Sequence, residues 1–251
     1  MEPTKSTIVE RIPLVVARTG GAASLRTADR VRGRKYEIIR TTQVDPYDAP
    51  VSPAVARAAP ELMRAAGDAF TGKSRRAAKI TVSRSKMEMF TDLKKLIDSL
   101  PSESTMKNKT PRITTKPTSG RVAEEERNVK VKAWLYAASR EDDNDFHLIL
   151  GRAPGKPRMF MTMEVSGLPP ASSKHRKKIE RARNAYKKRF KDNLPGTAYD
   201  FIKPPMPVEI AGSLFFDIGH LAGGRPGPKD LRKDIPTVWE VHPVTRMKFE
   251  P

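Results

Sequence analysis

The chain has no cysteine among its 251 residues. That excludes a disulfide framework, a zinc ribbon and any thiol nucleophile, and it is compatible with a reducing compartment; a cytoplasmic location is expected. Long hydrophobic runs are missing too. No stretch approaches the roughly 18 apolar residues of a membrane span, and the run from Ile8 to Ala17 carries Glu10 and Arg11 inside it, unlike a signal-peptide core. No membrane is expected as a partner, and Glu2 and Glu10 speak against an organelle transit peptide. Acidic residues are in short supply: 29 Asp and Glu face 48 Lys and Arg, a formal charge of +19, which favours a polyanionic partner such as nucleic acid. Only 37% of residues are hydrophobic and 22 are proline, so part of the chain is not expected in a packed core.

What is present starts at Val129. Val129, Val131, Ala133, Leu135 and Ala137 alternate with Lys130, Lys132, Trp134 and Tyr136, a period of two that sets an apolar face against a basic, aromatic one. A second strand has Phe146, Leu148 and Leu150 alternating with Asp145, His147 and Ile149. A third has Met159, Met161, Met163 and Val165 alternating with Phe160, Thr162 and Glu164. A helix follows over Lys174 to Phe190, with Ile179, Ala182, Tyr186 and Phe190 as its apolar stripe and nearly every other position basic. Strands over Val208 to Phe216 and Thr237 to Phe249 complete the block. Gly212 and Pro243 should mark bulges or edges. The fold class read here is mainly β with helices (α+β), an OB-fold-like five-stranded barrel with a basic helix inserted between its third and fourth strands.

The rest of the chain reads as a partly helical basic arm. Residues 1–50 are a flexible basic arm, with one strand over Arg34 to Val44; 51–100 are a short helical segment; 101–122 have Ser, Thr, Lys and Pro composition and read as a linker; 123–251 are the barrel domain. Within 51–100, Ser52 caps an Ala-rich stretch that Pro60 should break into a helix pair. Arg84 to Leu100 reads as one helix, with Met87, Phe90, Leu93, Ile97 and Leu100 on one face, docking on the barrel or on a protein partner.

Three motifs stand out in the C-terminal block: D-x-D-x-H-L at Asp143 to Leu148, G-x-x-F-F-D-x-x-H at Gly212 to His220, and E-x-H-P at Glu240 to Pro243. On these the block resembles a group of bacterial proteins with an OB-like C-terminal domain, and more loosely the small bacterial OB-fold proteins. The resemblance implies the fold and no activity, and it does not cover the first 120 residues.

Two sets of residues carry chemistry. His147, His220 and His242 each lie near a carboxylate, and with Glu164, Asp217 and Glu240 they form a candidate divalent-metal set, since imidazole and carboxylate suit Zn, Mn or Fe. The alternative is that these histidines are satisfied polar groups of a strand seam, with no cofactor. The acidic turn Glu141 to Asp145 lacks the glycine and glutamate spacing of a calcium loop and reads as solvated. The second set is for nucleic acid. Lys130, Lys132, Trp134 and Tyr136 on the first strand, Lys174, Arg176, Lys177, Lys178, Arg181, Arg183, Lys187 and Lys188 on the helix, and Arg225 in a glycine-rich loop offer cations for phosphates and rings for bases. Three functions follow in order: a nucleic-acid-binding protein, a metal-dependent phosphodiesterase or nuclease, and a structural subunit of a nucleoprotein or phage assembly. Whether the protein is an enzyme turns on whether the six His, Asp and Glu side chains converge in space.

Overall fold

Alternating apolar residues do become strands, and more of them than the five expected. The computed structural model describes residues 3–16, 34–46, 50–65, 67–221 and 224–250. Among these the chain is α+β, with one eight-stranded sheet and six helices. The strands are β1 (Ile8–Val16), β2 (Arg34–Thr41), β3 (Met87–Phe90), β4 (Asn128–Arg140), β5 (Phe146–Gly151), β6 (Phe160–Val165), β7 (Asp200–Phe216) and β8 (Trp239–Phe249). The helices are α1 (Pro53–Ala65), α2 (Arg76–Lys79), α3 (Leu93–Asp98), α4 (Glu103–Lys107), α5 (Arg176–Phe190) and α6 (Lys229–Arg232). No helix among the described residues is long and apolar enough to cross a membrane.

The sheet runs β1-β2-β7-β8-β6-β5-β4-β3, and β7 pairs with β4 as well. All neighbours are antiparallel except β6 with β8 and β3 with β4. The inner faces of β4 to β8 meet the stripe of α5: Val131, Leu135, Phe146, Leu148, Met161, Met163, Trp239, Val241, Tyr186 and Phe190 belong to one buried core. A second, smaller core of Ile39, Ile149, Phe160, Tyr199, Phe201, Leu231 and Ile235 lies elsewhere in the fold.

Several expectations need correction. The supposed arm supplies β1 and β2, which form a hairpin attached to β7; Ile8 to Val16 carries enough β-branched residues to pair despite its charges. Arg18, Arg26, Arg30 and Arg32 of that arm lie outside the described residues. Helix α1 is single and runs through Pro60, starting from Ser52, whose Oγ accepts from Val55 N at 3.3 Å. No helix spans Arg84 to Leu100. Met87 to Phe90 pair in parallel with Asn128 to Val131, and α3 starts only at Asp92, whose side chain accepts from Lys94 N. Its Leu93 and Leu96 are consumed by the main core, so the helix face offered to a protein partner does not exist.

The 101–122 stretch carries α4, with Met106 buried, and its Pro101 carbonyl accepts from Trp239 Nε1 at 2.9 Å. The fourth strand, expected to begin at Val208, begins at Asp200, so Lys203 to Pro207 lies inside β7. There Ile202 and Lys203 pair with β2 while the ladder to β4 skips from Phe201 to Met206, so the prolines sit at a register shift. Gly212 and Pro243 also meet at irregularities of the β7–β8 ladder, as their residue types suggested.

Candidate metal centre

Side-chain alternation builds the floor of the site. On β5, β6 and β8 the apolar residues Phe146 and Leu148, Met161 and Met163, and Trp239 and Val241 enter the main core. Their neighbours His147, Thr162, Glu164, Glu240 and His242 must then point to the opposite face. Register brings them together, because His147 is paired with Glu164 and Thr162 with Glu240. All five are buried.

The roof comes from segments far away in sequence. Glu141, Asp143 and Asp145 descend from the β4–β5 turn, Asp217 and His220 follow β7, Asp45 follows β2, and Lys79 closes α2. His147 Nδ1 lies 2.5 Å from Glu141 Oε1 and 3.0 Å from Glu164 Oε1. His220 Nδ1 lies 3.1 Å from Asp217 Oδ2 and 3.9 Å from Glu240 Oε1. His242 Nδ1 is 3.6 Å from Glu240 Oε2, and its Nε2 is 3.1 Å from Asp145 Oδ2. Lys79 Nζ is 3.4 Å from Asp143. The six residues singled out by sequence are therefore in contact as two groups, His147 with Glu164 and Asp217, His220, Glu240 and His242 together, facing one polar layer.

Two triads have ligand atoms close enough to share an ion: Asp45, Glu141 and His147, and Asp217, His220 and Glu240, with the atoms of each within 4.8 Å of one another. The second was wholly among the sequence candidates. In the first, only His147 was. Asp45 lies just past the strand expected over Arg34 to Val44, and Glu141 belongs to the turn expected to be solvated, which it is not: Asp145 is fully buried and Glu141 contacts His147. Asp45 is oriented by Tyr199, whose hydroxyl donates at 2.5 Å, and by the Gly227 amide at 3.0 Å. Gly227 has φ +108, a backbone conformation that favours glycine.

Seven carboxylates gather here against three imidazoles and Lys79, and the electrostatics register the surplus. Burial, then the charge of Asp145, pushes the Asp143 carboxyl up to about 7. Burial also pushes Asp145 up to about 7, with Lys79 opposing it. Glu164 is raised well above the ordinary range by burial and by Glu141, Glu240 and Asp145, against the pull of His147. Burial disfavours charge on His147 and His220, yet their carboxylates outweigh it: His147 is raised well above its usual value and His220 to about 9. Burial likewise opposes the Lys79 charge, and Asp143, Asp217, Asp145 and Glu141 together overcome it. His147 Nε2 and Glu164 Oε2 are buried without a hydrogen-bond partner among the described residues, an arrangement folded proteins rarely leave uncompensated. Hard oxygen donors, imidazoles and excess negative charge suit a divalent cation of the Zn, Mn or Fe type. A cavity of about 490 Å³, lined by Asp45, Lys79, Arg140, Glu141, Asp143 and His220 among others, opens on the cluster.

The proposed nucleic-acid residues fare unevenly. Lys130 is ion-paired to Glu209 at 3.0 Å and Lys132 to Glu250 at 3.3 Å. Trp134 is half-buried, and Tyr136 packs edge-on against Phe160 while its hydroxyl donates to Arg152 O, so neither ring is an open stacking platform. Arg183 is fully buried: it is paired with Asp68 at 2.8 Å, donates to Asn144 O and lies over the Phe146 ring. It holds the helix down and cannot meet a phosphate. Lys187 is shared with Asp68, Arg176 is bonded to Pro169 O, and Arg225 is paired with Glu103. Lys174, just ahead of α5, and Lys177, Lys178, Arg181 and Lys188 on it remain exposed.

Compared with known protein families, curated proteins and solved structures, the chain matches none.

Proposed function

We propose that the protein is a metal-dependent phosphodiesterase acting on nucleic acid. The observation that carries this reading is the convergence of two three-ligand sets, Asp45–Glu141–His147 and Asp217–His220–Glu240, on the same buried acidic cluster. A bare cluster of this sign repels a phosphate. Divalent cations held by the two sets would reverse the local charge, polarise a phosphoryl oxygen and lower the pKa of a bound water. Lys79 and Arg140, which line the same cavity, supply cations on the side from which an anionic substrate enters.

Two features support nucleic acid as the substrate. Four exposed basic side chains lie on α5 and a fifth, Lys174, just ahead of it, where ordinary solvated faces mix signs. The pairings β4–β5, β5–β6, β6–β8, β8–β7 and β7–β4, with α5 between β6 and β7, follow the strand order of an OB-like five-stranded barrel, an architecture that often carries single strands. A purely nucleic-acid-binding role draws on the same α5 surface but leaves the buried carboxylates without a purpose. The structural-subunit reading has no observation of its own among the described residues.

The test is cleavage. Protein stripped with EDTA and reloaded with Mn, Zn or Mg should hydrolyse bis(p-nitrophenyl) phosphate or labelled DNA and RNA only with metal. His220→Ala should lose that activity while unfolding as cooperatively as the parent. No stoichiometric metal by elemental analysis, no rise in melting temperature with added cation and no cleavage would together sink the proposal, because a ligand that binds only the native state must stabilise it.

A further inference from the structure

A second concave surface lies apart from the carboxylate cluster. It is a groove of about 360 Å³ bounded by β3, by β4, β7 and β8, and by α5. Met87 and Met89 come to it from β3, Lys130 from β4, Lys178 and Arg181 from α5, and Arg246 from β8. None of the described residues lining it is acidic. Lys178, Arg181 and Arg246 are exposed, whereas Lys130 is engaged by Glu209. The positive field extends past the rim: His175 is held below its ordinary value by burial first and then by Lys174, Lys178, Arg84 and Arg121.

The methionines are the unusual part. Met89 is 63% and Met87 45% exposed, and with Val55 they are the large apolar side chains left in solvent among the described residues. They sit on β3, the last strand of the sheet order, so their edge has no strand beyond it. Flexible, polarizable thioethers favour aromatic partners and adaptable binding surfaces. A ligand fitting this groove must present anionic groups to three cations and a flat apolar face to two methionines. An unpaired nucleotide strand does both. A duplex hides its base faces, and a plain acidic peptide would leave the methionines bare.

We propose that this groove binds single-stranded nucleic acid, with phosphates on Lys178, Arg181 and Arg246 and an unstacked base against Met89 and Met87. The inference deepens the phosphodiesterase reading, since Arg246 follows His242 on β8 by four residues, at most about 14 Å along the strand. It relies on that reading only for the strand's being the substrate. Binding is therefore measured in EDTA, where cleavage cannot contribute and failure of either idea is seen separately.

The experiment uses the full chain and a fluorescein-labelled 12-mer of dT or rU, followed by anisotropy across a KCl series. K178E/R181E/R246E should weaken binding at least about 100-fold and flatten the slope of log K on log salt by about 2, at roughly 0.7 per lost contact. Met89→Ser should weaken it about 3- to 10-fold and leave the slope unchanged, as loss of a stacking contact does. Lys35→Glu, exposed on β2 and outside the groove, should change affinity by less than about 2-fold. R181E alone serves if the triple variant does not fold, as checked by its melting curve. Equal losses from Lys35→Glu and R181E would show diffuse attraction and overturn the proposal. So would an unaffected Met89→Ser, equally tight binding of a 12-bp duplex, or displacement of the strand by polyglutamate of matched charge, which would mark the groove as a dock for acidic protein.

Discussion

Asp145 and His242 meet with no solvent around either side chain, His242 Nε2 lying 3.1 Å from Asp145 Oδ2. The other Asp145 oxygen accepts from the Gly167 amide at 2.6 Å, so the carboxylate ties the β4–β5 turn to β8 and to the end of β6. Burial, against the pull of Glu240, pushes His242 down, and burial, against the pull of Lys79, pushes Asp145 up to about 7, because desolvation disfavours the charged form of each. The pair lies beside Glu240 and so braces one ligand set against the turn that supplies Glu141 to the other.

If both ligand sets hold cations, the Mn-loaded protein should carry two ions per chain by elemental analysis after gel filtration. His220→Ala and His147→Ala should each carry one and the double variant none. At a hundredfold excess over Kd each occupied site should add about 2.7 kcal/mol, so the parent should gain about 5 kcal/mol and each single variant about half of that. A parent with one ion, unchanged in His147→Ala, would remove Asp45, Glu141 and His147 from consideration.

Two basic residues of α5 should behave in opposite ways. Arg183 is buried against Asp68, Asn144 O and the Phe146 ring, so Arg183→Met leaves Asp68 with Lys187 alone, takes a donor from the buried Asn144, Val165 and Ser166 carbonyls and should cost about 3 kcal/mol. Lys188 is exposed, and Lys188→Met should stay within about 0.5 kcal/mol of the parent. Urea midpoints at constant m-value decide it; equal midpoints for the two variants would contradict the packing described.

Arg75 forms a two-pronged pair with Glu125, at 2.6 and 2.8 Å, and also donates to Phe216 O and Gly120 O. It thereby fixes the start of α2, which carries Lys79, to the end of β7, which leads into Asp217. Arg75→Met leaves Glu125 buried with the Phe216 and Val122 amides but without its ion-pair partner, and should cost about 3 to 5 kcal/mol. Adding Glu125→Gln should recover part of that loss. A double variant whose cost equals the sum of the two singles would mean the pair is not coupled.

Asp92 caps α3 and is bound by Arg152 and Lys156. The Arg152 hydrogen bond, opposed by burial and helped by the Lys94 amide and Lys156, holds its carboxyl well below the usual range. A carboxyl depressed in the folded state contributes stability above its unfolded value, near 3.9, and loses it as the pH falls below that. Asp92→Asn keeps a capping oxygen but removes the charge that Arg152 and Lys156 bind, so it should cost about 1 kcal/mol near neutrality, with the gap to the parent closing below about pH 4. Melting curves from pH 3 to 7 give the comparison, and a gap that widened in acid would refute the assignment.

Local alternation alone determined β4, β5, β6 and the span of α5, because one face of each had to be apolar for the core to form. The same alternation put His147, Glu164, Glu240 and His242 on the polar face, so four of the six suspected ligands were legible from strand period. Arg183 was also legible and was passed over: it is four residues from Ile179 and three from Tyr186, hence on the apolar stripe, where a basic residue must be buried and paired. Only the tertiary structure decided the rest. Met87 to Phe90 has helical spacing with Leu93 yet pairs as a strand, because a free edge of β4 satisfies its backbone. Asp45, Lys79 and Glu141 come from segments with no shared period, and nothing local makes a carboxylate after β2 meet a histidine on β5. Their convergence follows from how β2 attaches to β7 and how residues 68–83 cover the outer face of the sheet, which are long-range contacts that no window of sequence contains.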